Sequence, residues 1–447
     1  MKNRLITDKW SSRLGFIIAT AGAAIGLGNI WRFPYMAGTQ GGGAFVVVFL
    51  ACVLLIGIPM MLAEMVIGRR ARKNPVSALG ELAQASGHSR RWRLVGVLGA
   101  LTALLILSFY SVVGGWSIYY LLQAASGTFN HASTTSIQHI WSGLMANPAQ
   151  MTLWHSVFMA LTITVIAAGV VNGIERATKI MMPALYVMLI ILVCYAFQNG
   201  YFARAWHFLF DFRISQITPH VVIAALGHAA FSLAVGVGAL LIYAAYTPQK
   251  SKLVSSIFIV VVLDVLVAIM AGLAIFPLVF RFGLTPDSGP GLMYQTLPIA
   301  FSNIASGQWI GCIFFLLLIF AAWTSSINLA EPVVTVVSDW LNCKRSQAAW
   351  LVGISAWALG LLSALSFSTL SVVHIGGMDL FSFISNLATD ILCPLGGIGF
   401  ALFAGWIMLK QDTENSLKTS AFLFNTWYLL IRYLVPVAIT VIFISVL

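Results

Sequence analysis

The amino-acid sequence predicts an all-α integral membrane protein with eleven transmembrane helices, and three observations support this fold class. Of the 447 residues, 60% are hydrophobic and only 8% are charged, whereas a soluble domain carries about 25% charged residues. The hydrophobic residues form long runs, and the loops between the runs are short and basic. So little charge cannot cover a water-soluble globule of this size, and we expect the chain to lie in a lipid bilayer.

Eleven apolar segments are long enough to cross a bilayer, for which a helix needs about 20 predominantly apolar residues. The predicted spans are 13–38, 44–68, 92–124, 151–171, 178–198, 219–247, 253–281, 309–341, 347–367, 377–409 and 427–447. The stretch 125–150 is polar without lysine or arginine, which predicts an extracellular loop. The stretch 283–308 is too polar to span, which predicts a loop with a short helix over the outer face.

The distribution of the 24 lysines and arginines predicts the orientation, because cytoplasmic loops of membrane proteins are enriched in these residues. With a cytoplasmic N-terminus, the segments predicted outside hold only Arg204, Arg213 and Arg281. An odd number of spans then puts the C-terminus outside. We expect no cleavable signal peptide and a location in the bacterial inner membrane. The net charge of +11 is spread over many short loops, so it indicates topology and does not predict nucleic-acid binding.

The first predicted span carries several residues that interrupt a helix. Its sequence reads ATAGAAIGLGNIWRFPY, with Gly22, Gly26 and Gly28 followed by Asn29 and Arg32. Close packing of helices is the alternative interpretation of such glycines. An amide and a charge at membrane depth, however, usually line a site, and unwound backbone is acceptable there only beside a cavity.

The sixth predicted span repeats this pattern five helices later. Its sequence GHAAFSLAVGVGALLIYAAY is interrupted at Gly227, Ser232, Gly236 and Gly238. Paired glycine-broken helices in two halves of a chain indicate a substrate site at the bilayer midplane. The free N–H groups there suit a carboxylate, and the free carbonyl groups suit a cation.

The motifs of both segments resemble the neurotransmitter:sodium symporter family, and especially its bacterial amino-acid transporters. The matching stretches are GAAIGLGNIWRFPY, GGGAF, GIP, GIERATKIMMP, TSSI and GMD, which are spread over almost the whole chain. The resemblance implies the leucine-transporter fold, with inverted five-helix repeats at 13–198 and 219–409 and helix 11 at 427–447. It also implies sodium-coupled import of neutral, mostly hydrophobic or aromatic L-amino acids by alternating access.

The resemblance implies two sodium sites made of oxygen ligands, which hard cations prefer. The first would use Ala24, Asn29, Ser232 and Asp264 together with the substrate carboxylate. The second would use Gly22, Ile25, Ala321, Thr324 and Ser325. The alternatives are a structural, hydrogen-bonded Asp264, and hydroxyl groups of Thr324 and Ser325 that bond only to their own helix.

Three departures from the family pattern predict that transport is independent of chloride. Asp264 stands where the family often has asparagine, Phe49 stands at a usual tyrosine, and His228 stands at a usual glutamine. The aspartate would supply covalently the negative charge that chloride supplies in animal members. Protonation of Asp264 on the return step, and hence proton antiport, is a further hypothesis.

The resemblance also implies a mostly apolar substrate pocket, from which charged side chains would be excluded because they would go unpaired. The small residues Ala234 and Val237 predict a roomy pocket. Ordinary core packing is the alternative interpretation of the same set. Its residues are Ala24, Leu27, Gly28, Ile106, Tyr110, Phe231, Ser232, Ala234, Val237, Ser325 and Leu329.

Gate residues follow from the same resemblance. Arg32 and Asp379 are expected to meet above the substrate. Trp10, Tyr246 and Asp339 match the inner gate, but Thr7 stands at its usual arginine position. Gly173 and Pro183 are expected to let the cytoplasmic end of the fifth span unwind, the alternative being a simple helix boundary.

Other classes of function find less support in the sequence. An amino-acid-binding membrane sensor without transport is the main alternative. The chain lacks GxSxG and HExxH motifs, and its glycine-rich segment lacks the lysine of a phosphate-binding loop, so an enzyme is not predicted. The five cysteines form no CxxC pair, so neither a zinc site nor a disulfide framework is expected. We expect a monomer or a weak dimer.

Overall fold

The structure is a computed structural model that describes residues 6, 8–248, 251–284, 291–304 and 306–446. The described residues are helical apart from loops and one small antiparallel hairpin, β1 (His374–Ile375) with β2 (Met378–Asp379). The helices are α1 (Arg13–Ala24), α2 (Gly28–Thr39), α3 (Gly43–Ala71), α4 (Pro75–Ala85), α5 (Arg90–Ala125), α6 (Thr134–Ala146), α7 (Pro148–Ala167), α8 (Val170–Asn199), α9 (Phe202–Phe210), α10 (Pro219–Ser232), α11 (Ala239–Ala245), α12 (Leu253–Arg281), α13 (292–302), α14 (Gly307–Trp340), α15 (Arg345–Leu365), α16 (Leu380–Ile407), α17 (Lys410–Leu417) and α18 (Ala421–Ser445).

In this described part of the chain, nine single helices and one bent pair are long and apolar enough to cross a membrane. The bent pair is α1 with α2, which meet at an angle of 53° in the first predicted span. The sixth predicted span is divided into α10 and α11, neither of which reaches spanning length alone. Counted as one span, this pair would complete the predicted eleven.

Three predicted spans begin elsewhere in the structure. The fifth begins at Val170 rather than at 178. For the other two, local hydrogen bonds set the start. The tenth span begins at Leu380, since residues 374–379 form the hairpin and Asp379 caps the helix. The last span begins at Ala421, where the hydroxyl of Ser420 accepts a hydrogen bond from the backbone N–H of Leu423. The predicted outer loops contain short helices, α6 in the first and α13 in the second.

The break between α1 and α2 follows from the conformation of three residues. Ile25 is extended, so it ends α1, and the side-chain oxygen of Asn29 accepts from the backbone N–H of Gly26 at 3.2 Å. A Cβ on Gly26 would lie 2.6 Å from the hydroxyl oxygen of Ser325. Glycine therefore allows the broken backbone to approach α14 closely.

The break between α10 and α11 contains left-handed backbone. Ala234 has φ of +51°, and Gly236 has φ of +91°. A left-handed alanine is strained, and such residues concentrate at functional sites. The carboxylate of Glu64 on α3 accepts the backbone N–H of Gly236 at 2.6 Å, which satisfies a donor that the interrupted helix leaves free.

Packing places both breaks in the middle of the molecule. Helices α5 and α14 pack along each other, and α7 and α15 pack against them to form a scaffold. Helix α1 packs on α8, α12 and α14, and α3 packs on α10 and α11. The breaks thus lie between the scaffold on one side and α3 and α12 on the other.

Candidate functional site

A cavity of about 60 Å³ lies between the two helix breaks. All the predicted substrate residues line it except Leu27, and the lining also contains residues that we had not predicted. The complete lining is Ala23, Ala24, Gly26, Gly28, Asn29, Ile106, Tyr110, Phe231, Ser232, Ala234, Val235, Val237, Ser325, Asn328, Leu329 and Cys393. The cavity of about 60 Å³ is not roomy in this conformation, and the size of the pocket with substrate bound stays a prediction.

A second cavity of about 300 Å³ adjoins the first on the side of Arg32. Gly28, Tyr110 and Phe231 line both cavities and so form the wall between them. Leu27 lies at this wall, where its backbone N–H donates to the hydroxyl of Tyr110 at 3.0 Å. A backbone donor and a phenol are therefore side by side, bonded to each other here, and both suit a carboxylate if that hydrogen bond is exchanged.

Two of the predicted residues of the first sodium site, Asn29 and Ser232, bond to a third, Asp264, and the fourth, Ala24, lines the cavity with them. The amide nitrogen of Asn29 donates to Asp264 Oδ1 at 2.8 Å, and the hydroxyl of Ser232 donates to its Oδ2 at 3.2 Å. Asp264 is fully buried, and no lysine or arginine among the described residues forms an ion pair with it. A buried carboxylate without a basic partner suits a bound cation.

The predicted residues of the second site join α14 to the end of α1. The hydroxyl of Ser325 donates to the carbonyl of Ile25 at 3.3 Å. Thr324 instead bonds to its own helix, to the carbonyls of Phe320 and Ala321 at 3.0 and 3.1 Å. Gly22 lies against Thr324, since a Cβ on it would be 3.3 Å from the threonine Cβ. The back-bonding alternative therefore describes Thr324, whereas Ser325 connects two helices.

The predicted outer pair of Arg32 and Asp379 is not formed in the structure. The carboxylate of Asp379 accepts from the backbone N–H and hydroxyl of Ser382, at 3.0 and 2.7 Å. Partial burial raises the pKa of Asp379, but the hydrogen bonds from Ser382 outweigh this and lower it overall. Arg32 stacks on Phe231 with 4.6 Å to the ring centroid, and the acidic residue that shares its cavities is Asp390.

Asp390 was not predicted as the acidic residue near Arg32, because the GMD motif assigned that role to Asp379. Asp390 lies in a π-helical turn of α16, Leu387–Leu392, which is inside the membrane span. An acidic residue within a predicted span is itself a signal for a functional site, and this signal was present in the sequence.

Trp10 and Tyr246 meet on the side that we predict to be cytoplasmic. The indole N–H of Trp10 donates to the carbonyl of Tyr243 at 2.8 Å, and its backbone N–H donates to the carbonyl of Tyr246 at 3.2 Å. The hydroxyl of Tyr246 donates to the carboxylate of the buried Glu331. Arg345 binds the same carboxylate through both terminal nitrogens, at 2.7 and 2.5 Å.

Asp339 does not bond to Trp10 or Tyr246 in this structure, and its part in the inner gate stays a prediction. Its carboxylate accepts from the side-chain amide of Asn74 at 2.9 Å and from the hydroxyl of Ser77 at 3.3 Å. Asp339 thus fixes the start of α4 to the end of α14. Thr7, at the usual arginine position of the motif, lies outside the described residues.

Gly173 and Pro183 both lie within α8, which is continuous from Val170 to Asn199. Gly173 is part of a π-helical turn, where a Cβ would come 2.0 Å from the carbonyl oxygen of Val165. Pro183 is inside the following α-helix. The unwinding of this end stays a prediction.

His228 is enclosed by phenylalanine rings. The centroids of Phe33, Phe45 and Phe49 lie 5.9, 6.0 and 5.1 Å from that of His228. Both ring nitrogens are buried without a hydrogen-bond partner in the described part of the chain. The environment of His228 is therefore apolar.

Glu64 and Asn328 are polar site residues that sequence reasoning missed. Both are fully buried inside membrane helices. Glu64 stands alone in IPMMLAEMVIG, and Asn328 follows the TSSI motif directly. A polar residue in each apolar run was the available signal.

Comparisons with known proteins show which proteins this chain resembles. A sequence model of the Sodium:neurotransmitter symporter family matches residues 7–143 and 134–447. The uncharacterized sodium-dependent transporter YhdH of Bacillus subtilis is 35% identical over 98% of this chain and 97% of its own length. An uncharacterized sodium-dependent transporter of Haemophilus influenzae is also 35% identical, with the same coverage of 98% and 97%.

The solved structure of MhsT in complex with L-phenylalanine resembles this chain with a TM-score of 0.90 and 40% sequence identity. The match covers 98% of this chain and 100% of MhsT. A likeness of this extent shows that the two proteins share their fold.

Proposed function

We propose that this chain, which belongs to the sodium:neurotransmitter symporter family, transports neutral L-amino acids. It is a multi-pass membrane protein that couples transport to sodium. The substrates are mostly hydrophobic or aromatic, and they are imported by alternating access across the bacterial inner membrane. The observation that supports this proposal most directly is the cavity where both helix breaks meet beside the buried Asp264.

Each end of an amino acid finds a partner in this cavity. The carboxylate is bound by the backbone N–H of Leu27 and the hydroxyl of Tyr110, which are 3.0 Å apart. The ammonium group is bound by the backbone carbonyls of Ala24, Phe231 and Ser232. These three residues line the cavity. The carboxylate also completes the first sodium site, so substrate and ion each raise the affinity of the other.

The chemistry of the lining supports apolar side chains. Ile106, Val237 and Leu329 offer no partner for a charge, so a charged side chain would be buried unpaired at a cost of several kcal/mol. The binding of L-phenylalanine by MhsT supports an aromatic substrate. Because the cavity is small in this conformation, the α10–α11 segment and α16 must separate from the scaffold to admit such a substrate.

Two sodium ions accompany the substrate in this proposal, and chloride is not needed. Asp264 provides a negative charge beside the first site, and the phenylalanine cage around His228 provides no hydroxyl to bind chloride. The transport motion would involve the two five-helix repeats at 13–198 and 219–409. The N-terminus is cytoplasmic and the C-terminus outside.

Uptake in proteoliposomes tests the proposal. Purified protein is reconstituted and supplied with labelled leucine, phenylalanine, tyrosine or tryptophan, and sodium outside is replaced by potassium or choline. We expect uptake that requires the sodium gradient and is unchanged when gluconate replaces chloride. Uptake that persists in potassium would reject sodium coupling for these substrates.

A membrane sensor that binds amino acids without moving them is the competing function. The same preparation distinguishes the two, because a sensor would bind labelled amino acid in detergent but would not accumulate it in proteoliposomes. The second cavity, on the side of Arg32 and separated from the cavity of Asn328 by one wall of side chains, favours transport.

A further inference from the structure

Asn328 is a fully buried amide without a hydrogen-bond partner in the described part of the chain. Both its Oδ1 and its Nδ2 lack partners. An unpaired buried polar group costs about 1–3 kcal/mol, so native proteins rarely retain one without a purpose. Asn29, Ser232 and Ser325, which line the same cavity, are all hydrogen-bonded.

Asn328 lines the same cavity as the proposed substrate residues. It follows Ser325 by three positions and precedes Leu329, and residues three or four positions apart share one face of a helix. Ser325 lies at the end of the cavity where α1 breaks. Asn328 lies one turn further along α14, away from the backbone donors at Leu27.

We propose that Asn328 selects aromatic amino acids that carry a hydroxyl group at the far end of the ring, as tyrosine does. This inference rests on the proposed function, because it assigns the side-chain end of the same cavity. An amide both donates and accepts hydrogen bonds, and so does a phenol. The ring itself would be buried against Ile106, Val237 and Leu329.

Other side chains fit this arrangement less well. Phenylalanine would leave the amide buried and unpaired, and a charged tip would find no opposite charge. A glutamine side chain could pair with the amide, but its short aliphatic stem would cover less of the apolar lining than a ring does. The hydroxyl-bearing ring satisfies both the polar and the apolar parts of the lining.

A buried water molecule is the competing partner for Asn328. The cavity volume of about 60 Å³ would hold such a molecule, since a water occupies about 30 Å³. A water that stays in place when substrate binds would pair with the amide regardless of the substrate. In that case tyrosine and phenylalanine would bind alike.

Competition against uptake of labelled leucine in proteoliposomes separates these cases. Unlabelled tyrosine, phenylalanine and 4-fluorophenylalanine are each added as inhibitors of leucine uptake. The proteins compared are the wild type and Asn328→Leu, which keeps the approximate shape of the side chain. Asn328→Ala serves as a second variant should the first fold poorly. Ser326→Ala is the matched control, because this neighbouring hydroxyl is already bonded to the carbonyl of Ala322 at 2.9 Å and does not line the cavity.

We expect the wild type and Ser326→Ala to prefer tyrosine over phenylalanine by about fivefold, the value of one neutral hydrogen bond. In Asn328→Leu the order should reverse, and 4-fluorophenylalanine should behave as phenylalanine does throughout. Equal inhibition by tyrosine and phenylalanine in the wild type, or a ratio unchanged in both Asn328 variants, would overturn the inference.

These outcomes are distinct from failure of the proposed function. If the wild type shows no sodium-dependent uptake of any amino acid, the proposed function itself is wrong. If uptake is present and the tyrosine-to-phenylalanine ratio does not depend on residue 328, only the role of Asn328 is wrong.

Discussion

Asp264 is the residue on which the proposed first sodium site depends most. Its carboxylate is fully buried, and the described residues give it two neutral hydrogen-bond donors, Asn29 and Ser232, and no basic partner. Hydrogen bonds from two neutral donors do not offset the desolvation free energy of a charged carboxylate in a membrane protein. A sodium ion next to this carboxylate would supply the missing stabilisation.

Removal of this charge should weaken sodium binding. We expect Asp264→Asn to lower the apparent sodium affinity about tenfold or more, because hydrogen bonds and ion contacts of charged groups exceed those of neutral ones by about 1–2 kcal/mol. Sodium-dependent binding of labelled substrate in detergent measures the change. Glu81→Gln is the matched control, since Glu81 pairs with Lys73 away from the cavity. A sodium titration of Asp264→Asn that superposes on the wild type would contradict the role of the charge.

The two aspartates near the outer cavity can be distinguished by identical substitutions. We expect Asp390→Asn to reduce uptake about fivefold, the value of one partly screened interaction between charges, because Asp390 and Arg32 line the same cavity. Asp379→Asn should have little effect, because asparagine also caps a helix N-terminus. Initial rates of sodium-driven uptake measure both variants. The opposite order of effects would restore Asp379 as the partner of Arg32.

At the scale of elements, one network connects the helix ends on the predicted cytoplasmic side. Trp10 precedes α1, Tyr246 ends α11, Glu331 belongs to α14 and Arg345 begins α15. Trp10 joins the start of α1 to α11, and the hydroxyl of Tyr246 joins α11 to Glu331 of the scaffold. In the proposed transport cycle, opening of this side would break the contacts of Trp10 and Tyr246 while the pair of Glu331 and Arg345 stays.

Disruption of that pair should destabilise the protein strongly. We expect Glu331→Gln to lower the free energy of unfolding by about 3–5 kcal/mol, because Arg345 keeps a mostly buried charge without its carboxylate. The double variant Glu331→Gln with Arg345→Gln should be less destabilised than the single one. Thermal unfolding of the purified proteins in detergent measures the order of stability of the wild type, the single variant and the double variant.

A surface pair provides the comparison for this prediction. Arg70 and Asp412 lie 2.9 Å apart and are partly exposed, so Arg70→Gln should cost no more than about 1 kcal/mol. If Glu331→Gln proves as mild as Arg70→Gln, the buried pair does not hold the inner side together.

At the scale of the whole molecule, the distribution of basic residues predicts which side each loop faces. Ser89 lies in the short basic loop before α5, and Ser126 lies just after the same helix. Both residues are exposed, so cysteines introduced there are accessible to a thiol reagent. Because α5 crosses the membrane, the two positions lie on opposite sides.

Labelling of intact cells tests this orientation. With Cys194 replaced by alanine, we expect Ser126→Cys to react with a membrane-impermeant maleimide from outside. Ser89→Cys should react only after the cells are permeabilised. Labelling of Ser89→Cys in intact cells would invert the topology and place the N-terminus outside.

The sequence alone determined the kind of molecule and the location of its site. The scarcity of charge predicted a membrane protein, and the glycines with Asn29 in the first span predicted where its helix breaks. These features are local, because backbone conformation and helix length depend on residues adjacent in the chain. The family motifs then predicted the substrate residues that line the cavity.

Only the tertiary structure decided which distant side chains meet. Asp390 rather than Asp379 lines a cavity with Arg32, Arg345 pairs with Glu331, and Asn328 lines the cavity between the helix breaks without a partner among the described residues. Helical periodicity shows which residues share a face, but the rotation and depth of each helix against its neighbours follow from packing over the whole bundle. A charge pair that joins two helices leaves no pattern within either one, so its partners could not be read from the chain.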